Sequence, residues 1–279
     1  MNIEWSLVFF TLFAGLAAGT FIIVALSEWS DGAYKKVRFP GAVLTLAALV
    51  IGGGSSVLHL GHPERIFGAL EKPGSGIFLE ALLMGLFGLF VIFYLAALRR
   101  GASDLVCKLL ATLGAIPAVV LAFSLGVTYM MPSRPAWDIV YIPVIYLVSA
   151  VVMGCFCIAA LLSGLKDGYP ELGKNKIILG VSLGLQAGFT LLYIFLHLAK
   201  APYYDYSRSA SRVLIGDLAP LFWIGVILLG ILVPIYILRC AEKSKSLAKM
   251  RYGLMCVLIG GIAFRALMFS LGSAVRNFF

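Results

Sequence analysis

Residues 139–163 read IVYIPVIYLVSAVVMGCFCIAALLS, a run of 25 residues without a charged side chain. A helix of about 20 predominantly apolar residues crosses the hydrocarbon core of a bilayer, so this run is long enough to span it. Backbone groups in hydrocarbon must be paired within the segment, which favours an α-helix. The stretch therefore predicts a membrane-spanning helix, and similar runs recur along the sequence.

Apolar runs of spanning length repeat eight times in all. The predicted spans are about 5–27, 40–60, 76–98, 106–130, 139–163, 176–199, 218–238 and 252–273. Composition agrees, because 61% of the residues are hydrophobic and only 13% are charged, against about 25% charged in a soluble domain. The short alternating segments typical of a membrane β-barrel do not occur. We predict an all-α polytopic protein with eight transmembrane helices in a single integral-membrane domain, 1–279.

The distribution of positive charge predicts the orientation. The formal net charge is +9. Fourteen of the 22 Lys and Arg residues fall in the loops joining spans 1–2, 3–4, 5–6 and 7–8, seven lie on the other side, and Arg265 lies inside span 8. The positive-inside rule then places both termini on the outer, periplasmic side. Because the charge follows the loops, it indicates membrane topology and not nucleic-acid binding. The first span lacks a basic leader and a clear cleavage site, so we expect it to be retained.

Ionisable residues mark the outer end of span 2, where residues 55–65 read SSVLHLGHPER. Such groups at membrane depth are costly and usually persist where something is bound or transferred. The His59 imidazole can accept a proton near neutral pH and hydrogen-bond an oxygen, as oxidation of a hydroquinone requires. The alternative is an interfacial histidine that caps backbone carbonyls.

Two further charged residues lie within predicted spans. Glu80 lies about one turn inside span 3 on the outer side, where a proton relay and a structural ion pair both fit a buried acid. Arg265 lies well inside span 8, and its guanidinium stays protonated, so it needs an anion, carbonyl groups or water. We expect Arg265 to pair with Glu80 or to orient a ligand oxygen in the same outer cavity.

Polar residues form a stripe along span 6. Their spacings of 4, 3 and 4 place them on one helix face; they are Gln186, Thr190, Tyr193 and His197. We favour interhelical hydrogen bonding as their role. The alternative is a proton path or cavity lining that ends at His197.

Cofactor-binding patterns are weak in this sequence. His59 and His197 both fall near the outer surface, so a haem between them is geometrically conceivable, but the three histidines lack the recurrent pairing of dihaem cytochromes. The five cysteines include no CxxC motif. We therefore expect no haem, no iron–sulfur cluster and no metal site in this protein.

The pattern LHLGxPxRxFxxL over residues 58–70, followed by Glu80, resembles the DmsC-type membrane anchor of dimethyl sulfoxide reductase complexes, within the NrfD-like superfamily. The similarity covers nearly the whole sequence and is strongest over 55–80. It also includes Phe10-Thr11-x-Phe13, Ala18-Gly19-x-Phe21-Ile22, Tyr129, Pro135-x-Trp137, Pro143 and Arg265.

The resemblance implies a haem-free menaquinol oxidase in the bacterial cytoplasmic membrane. It would anchor two partners at the outer face, an iron–sulfur electron-transfer subunit and a molybdopterin catalytic subunit, and would not itself catalyse the terminal reduction. His59 and Glu80 would be the catalytic residues, and the quinol-binding set is His59, Arg65, Glu80, Tyr129 and Arg265. The terminal acceptor and the quinol species stay open, because the terminal chemistry belongs to another subunit.

Three positions depart from the family pattern. A polar residue expected in span 1 is replaced by Gly15 or nearby small residues, and an acidic residue expected before Arg265 falls at Gly260-Gly261. His197 is not expected from the family. Besides the quinol-oxidising anchor, two alternatives remain: a secondary transporter with a coupling site at Glu80 and Arg265, and a purely structural anchor.

Overall fold

A computed structural model describes residues 3–29, 34–59, 75–165, 168–199 and 210–272, and all regular structure in these ranges is helical. Eight helices are long and apolar enough to cross a membrane, which confirms the predicted helical class and number of spans. They are α1 (Trp5–Glu28), α2 (Tyr34–His59), α3 (Gly76–Arg99), α4 (Asp104–Val127), α5 (Tyr141–Leu162), α6 (Gly168–Leu192, continued as a π-helix over Tyr193–Leu198), α7 (a π-helix over Leu221–Leu232, continued as an α-helix over Val233–Ser244) and α8 (Met250–Leu271).

Three helices extend past the predicted spans at their basic ends, and one of them, α6, begins at Gly168 and not near residue 176. α2 begins at Tyr34 and not near residue 40, so Lys35, Lys36 and Arg38 lie in its first turns. α7 continues to Ser244. Hydropathy detects only the apolar part of a helix, whereas backbone pairing continues into the polar interface. α4 is shorter than predicted, because the backbone leaves the helix after Val127.

The bundle is built around α1 and α5, which are the most buried helices. α1 packs against α2, α4, α5 and α8. Glycines allow α1 and α5 to cross in close contact: a Cβ added to Gly19 would overlap the Ala150 carbonyl, and one on Gly154 would overlap the backbone of Gly19. Close backbone approach at small residues is a common basis of helix association in membranes.

α2 and α3 lie at the edge of the bundle. They are the least buried of the eight spans, and many of their large apolar side chains are exposed, such as Val50, Ile51, Leu82 and Leu86. Such faces are suited to contact with lipid tails. The end of α2 at His59 and the start of α3 at Gly76 therefore lie at the lipid-facing edge of the bundle.

A buried ion pair joins α1, α2 and α3 at the end of the bundle where α1 terminates. The Glu28 side chain is fully buried, and Arg38 Nη1 lies 3.2 Å from its Oε2. The Tyr94 hydroxyl of α3 donates to Glu28 Oε1. We refer to this end as the basic end and to the other, where α1 begins, as the N-terminal end. This cluster was not predicted from the sequence.

The α1–α5 crossing makes a prediction about stability. Gly19→Ala should force the two central backbones apart, since no rotamer change relieves a clash with a main-chain carbonyl. We expect a loss of about 1–3 kcal/mol or more, measured as thermal unfolding of the purified protein in detergent. Gly85→Ala is the matched control, because a Cβ there has no heavy atom within 4 Å. Equal unfolding temperatures for the two variants would contradict the close crossing.

Candidate functional site

Arg265 is the largest fully buried side chain of the described residues, with 1% of its surface exposed. Nε donates to the Thr11 hydroxyl (3.0 Å), one Nη to the Thr11 carbonyl (3.2 Å) and the other to the Gly261 carbonyl (3.1 Å). Its Cζ also lies 4.8 Å from the centre of the Tyr146 ring, a favourable cation–π distance. The buried charge is thus held by two carbonyls, a hydroxyl and an aromatic face.

Glycines make room for this guanidinium. A Cβ on Gly15 would lie 3.3 Å from one Nη, and a Cβ on Gly261 would lie 3.3 Å from the other. Gly260 has a different role, because it packs directly against the backbone of Gly230 in α7. The departures at Gly15 and Gly260-Gly261 therefore have a physical explanation: Thr11, one turn before Gly15, supplies the polar contact in α1.

Glu80 lies one turn into α3, which Ser75 caps by accepting a hydrogen bond from the Phe78 amide (3.2 Å). The carboxylate is buried, and among the described residues its Oε1 has no hydrogen-bond partner. The Thr128 hydroxyl lies within hydrogen-bonding reach of the carboxyl group and also of the Ser124 carbonyl (3.0 Å), so only Oε1 is left without a partner in the part of the chain that the structure describes. A buried acceptor left without a donor costs about 1–3 kcal/mol.

Direct pairing of Arg265 with Glu80 was one of two arrangements expected from the sequence. The ion pairs formed among the described residues do not include it, and Arg265 bonds Thr11 and Gly261 instead. The guanidinium bonds backbone carbonyls in place of the carboxylate because these are nearer. The Gly261 carbonyl lies one turn away in α8, and the Thr11 carbonyl lies on the facing turn of α1. The alternative of a secondary transporter with a coupling site at Glu80 and Arg265 stays a hypothesis.

Two tyrosines lie close to both charged residues. The Tyr129 ring packs 6.4 Å from that of Tyr146, and both hydroxyls are close enough to Glu80 and Arg265 to be influenced by their charges. Tyr146 donates to the Met268 sulfur (3.4 Å), a weak acceptor. Tyr129 lies just beyond the end of α4, and burial raises its pKa well above the ordinary value, so the hydroxyl stays protonated and can donate. We name Glu80, Tyr129, Tyr146, Arg265 and Thr11 the polar centre.

Two residues expected in the quinol site are only partly described. His59 is the last residue of α2, but its side chain lies outside the described residues. Arg65 lies within 60–74, also outside them. Their assignments stay predictions.

Two residues of the polar stripe on span 6, Tyr193 and His197, bond the turn between α4 and α5. The Tyr193 hydroxyl donates to the Ala136 carbonyl (3.0 Å), and His197 Nε2 lies 2.9 Å from the Pro135 carbonyl. Both acceptors lie in the turn between α4 and α5 and not in another helix, so interhelical hydrogen bonding by the stripe stays a prediction. Thr190 and Gln186 are also buried, and Gln186 Oε1 has no hydrogen-bond partner among the described residues.

A family model described as DMSO reductase anchor subunit (DmsC) matches residues 1–271. The protein belongs to this family. The family resemblance is thus confirmed. Together with the eight apolar helices, membership identifies a multi-pass protein of the bacterial cytoplasmic membrane.

Two relatives are named as the C subunit of anaerobic dimethyl sulfoxide reductase. The protein is 28% identical to the one from Haemophilus influenzae over 175 residues, which are 62% of its own length and 60% of the relative's. It is 27% identical to the one from Escherichia coli over 146 residues, 50% of its own length and 51% of the relative's. The matched region thus spans less than two thirds of either relative.

The contacts of Arg265 with Thr11 lead to a prediction. Thr11→Val keeps the side-chain shape but leaves a buried N–H without its acceptor, which should cost about 1–3 kcal/mol. Thr45→Val is the control, because the buried Thr45 hydroxyl donates only to the Gly41 carbonyl of its own helix (3.0 Å). Thermal unfolding in detergent should show a larger loss for Thr11→Val. Similar losses would show that Arg265 does not depend on Thr11.

Proposed function

We propose that this protein is the membrane anchor and quinol-oxidising subunit of a respiratory reductase of the dimethyl sulfoxide reductase type. It takes electrons from menaquinol in anaerobic electron transport and passes them to an iron–sulfur subunit. A molybdopterin subunit then performs the terminal reduction.

One observation carries this proposal: the buried Glu80 oxygen that has no hydrogen-bond partner among the described residues. A buried carboxylate oxygen without a donor is unfavourable unless a ligand supplies one. The hydroxyl group of a quinol is such a donor. Across the same polar centre, Tyr129 and the two remaining N–H groups of Arg265 can donate to the second quinol oxygen. Donors and acceptors thus face the two ends of one headgroup.

Quinol oxidation releases two electrons and two protons, so the site needs proton acceptors. His59 accepts the first proton, because an imidazole titrates near neutral pH and α2 ends at this residue. Glu80 accepts or relays the second, and Arg65 and Arg265 orient the headgroup. Both protons leave from the N-terminal end of the bundle.

Access from the bilayer follows from the position of α2 and α3. Both are peripheral and expose apolar side chains. A lipid-soluble quinol can therefore reach Glu80 laterally, at the edge between the end of α2 and the start of α3.

The orientation completes the proposal. Many of the Lys and Arg residues lie at the basic end of the bundle, among them Lys35, Arg38, Lys243, Lys245 and Arg251. By the positive-inside rule, this end faces the cytoplasm. The polar centre and both termini then face outward, and the soluble partners bind there. Both relatives are named as one subunit of a dimethyl sulfoxide reductase, which supports a multi-subunit assembly.

Removal of the two proton acceptors tests the proposal. In the whole complex, His59→Ala and Glu80→Gln should each lower menaquinol oxidation by about a hundredfold or more, the usual effect of losing a general base. Turnover of the terminal acceptor with a soluble artificial electron donor should be unchanged, because the partners remain bound.

Matched variants provide the controls. His62→Ala removes another histidine of the same segment, and Glu242→Gln removes a carboxylate that pairs with Lys176 at the basic end (2.8 Å). Neither should alter quinol oxidation. If Glu80→Gln retained full menaquinol activity, the proposed role of the polar centre would be wrong.

Charge movement supplies a separate prediction. Protons are released on the same side of the membrane that consumes them, so turnover in proteoliposomes should build up little membrane potential. A voltage-sensitive dye should report a signal close to that of liposomes without substrate. A large potential that collapses with an ionophore would contradict the outward-facing assignment.

A further inference from the structure

The connection between α4 and α5, residues 128–140, lies at the N-terminal end and contains a hydrogen-bonded turn. Successive backbone hydrogen bonds close it: the Arg134 amide donates to the Met131 carbonyl and the Trp137 amide to the Arg134 carbonyl, both at 2.9 Å. Met131, Pro132 and Ser133 are exposed at its tip. We name residues 131–133 the tip.

Side chains from two other helices hold this turn from beneath. His197 and Tyr193 of α6 bind the carbonyls of Pro135 and Ala136. The Trp137 indole donates to the Met268 carbonyl of α8 (2.7 Å), and the backbone of Gly272 packs flat against its ring. A simple link between neighbouring helices does not require fastening to α6 and α8, so these contacts indicate that the position of the tip matters.

The turn lies directly against the polar centre. Tyr129 is at its start, two residues before the tip, and Trp137 is at its end. The rings of Tyr129 and Trp137 pack edge-to-face at 5.6 Å, and Phe269 contacts both, at 5.2 and 5.8 Å. A molecule that touches the tip is therefore separated from the polar centre by about one layer of aromatic side chains.

The surface chemistry of the tip suits a protein partner that approaches closely. The three residues are uncharged, and the nearest cation, Arg134, is held against the Trp137 ring with its Cζ 4.4 Å from the ring centre. Removing such a surface from water costs little, unlike the exposed Arg212–Asp217 pair at the same end of the bundle. Its fixed backbone also lowers the conformational cost of binding.

We propose that the tip is the docking surface for the electron-accepting iron–sulfur subunit, and that Tyr193, His197 and Trp137 are positioning residues for it. This inference rests on the proposed function. Electrons from a quinol beside Tyr129 must leave by a short route, and the tip is the described surface that lies above that residue. His197, which is unexpected in the family pattern, thereby has a role in placing the partner and not in binding quinol.

Site-specific photo-crosslinking in the intact complex tests the proposal. A benzophenone amino acid at Ser133 should give, on illumination, an adduct between this protein and the iron–sulfur subunit, identified by mass spectrometry. The same probe at Ser244, which is exposed at the basic end, should give none. An adduct with lipid alone from Ser133, or with the iron–sulfur subunit from both positions, would overturn the proposal.

A second variant separates docking from quinol chemistry. Ser133→Trp should weaken attachment roughly tenfold, as disruption at the centre of an interface does, so that donor-dependent reductase activity moves from membranes to the soluble fraction. Glu80→Gln should leave that activity on the membrane. If Ser133→Trp kept the partner fully bound, the docking proposal would be wrong. If Ser133→Trp released the partner but Glu80→Gln had no effect on quinol oxidation, the quinol proposal would be wrong and the docking proposal would stand.

Discussion

A guanidinium that cannot lose its proton lies inside an apolar bundle, and the neighbouring helices are arranged around it. Arg265 needs acceptors from α1 and from its own helix, so α1 and α8 must be in contact at Thr11. Space for the group requires Gly15 and Gly261. The Tyr146 ring of α5 covers its face. A single buried charge therefore fixes the mutual position of three helices, including both central ones.

The way in which this charge is satisfied determines what the site can do. A direct Arg265–Glu80 salt bridge would have paired both groups and left little to bind. Glu80 Oε1 has no donor among the described residues, and Arg265 keeps N–H groups that its three bonds do not use. A ligand with hydroxyls at both ends of a ring can complete both sets of bonds. The separation of the charges is thus the physical basis for reading this region as a binding site.

Much of the fold follows from the sequence because hydrocarbon permits few alternatives. Eight apolar runs predicted eight helices, and the main errors occurred where α2, α6 and α7 continue into the polar interface and where α4 ends early. Glu80 and Arg265 were identified for the same reason, since charges within apolar runs are costly. The partners of Arg265 were not predictable, because every residue has a backbone carbonyl and the sequence does not show which of them lies near the guanidinium. Glu28 was not predicted because it directly follows the apolar run of span 1, although its side chain is fully buried.

Each end of the bundle contains a buried glutamate, and the two glutamates differ in their hydrogen bonds. At the basic end, Glu28 is paired with Arg38 and bonded by Tyr94, which ties α1, α2 and α3 together. At the N-terminal end, Glu80 of the same α3 keeps an oxygen without a partner among the described residues. The fold is therefore able to satisfy a buried carboxylate with a nearby arginine and tyrosine, and does so where the helices must be held. Tyr129 and Tyr146 also lie near Glu80, but no described residue bonds that oxygen. Among the described residues, Glu80 thus keeps a hydrogen-bonding capacity that the tyrosines beside it do not use.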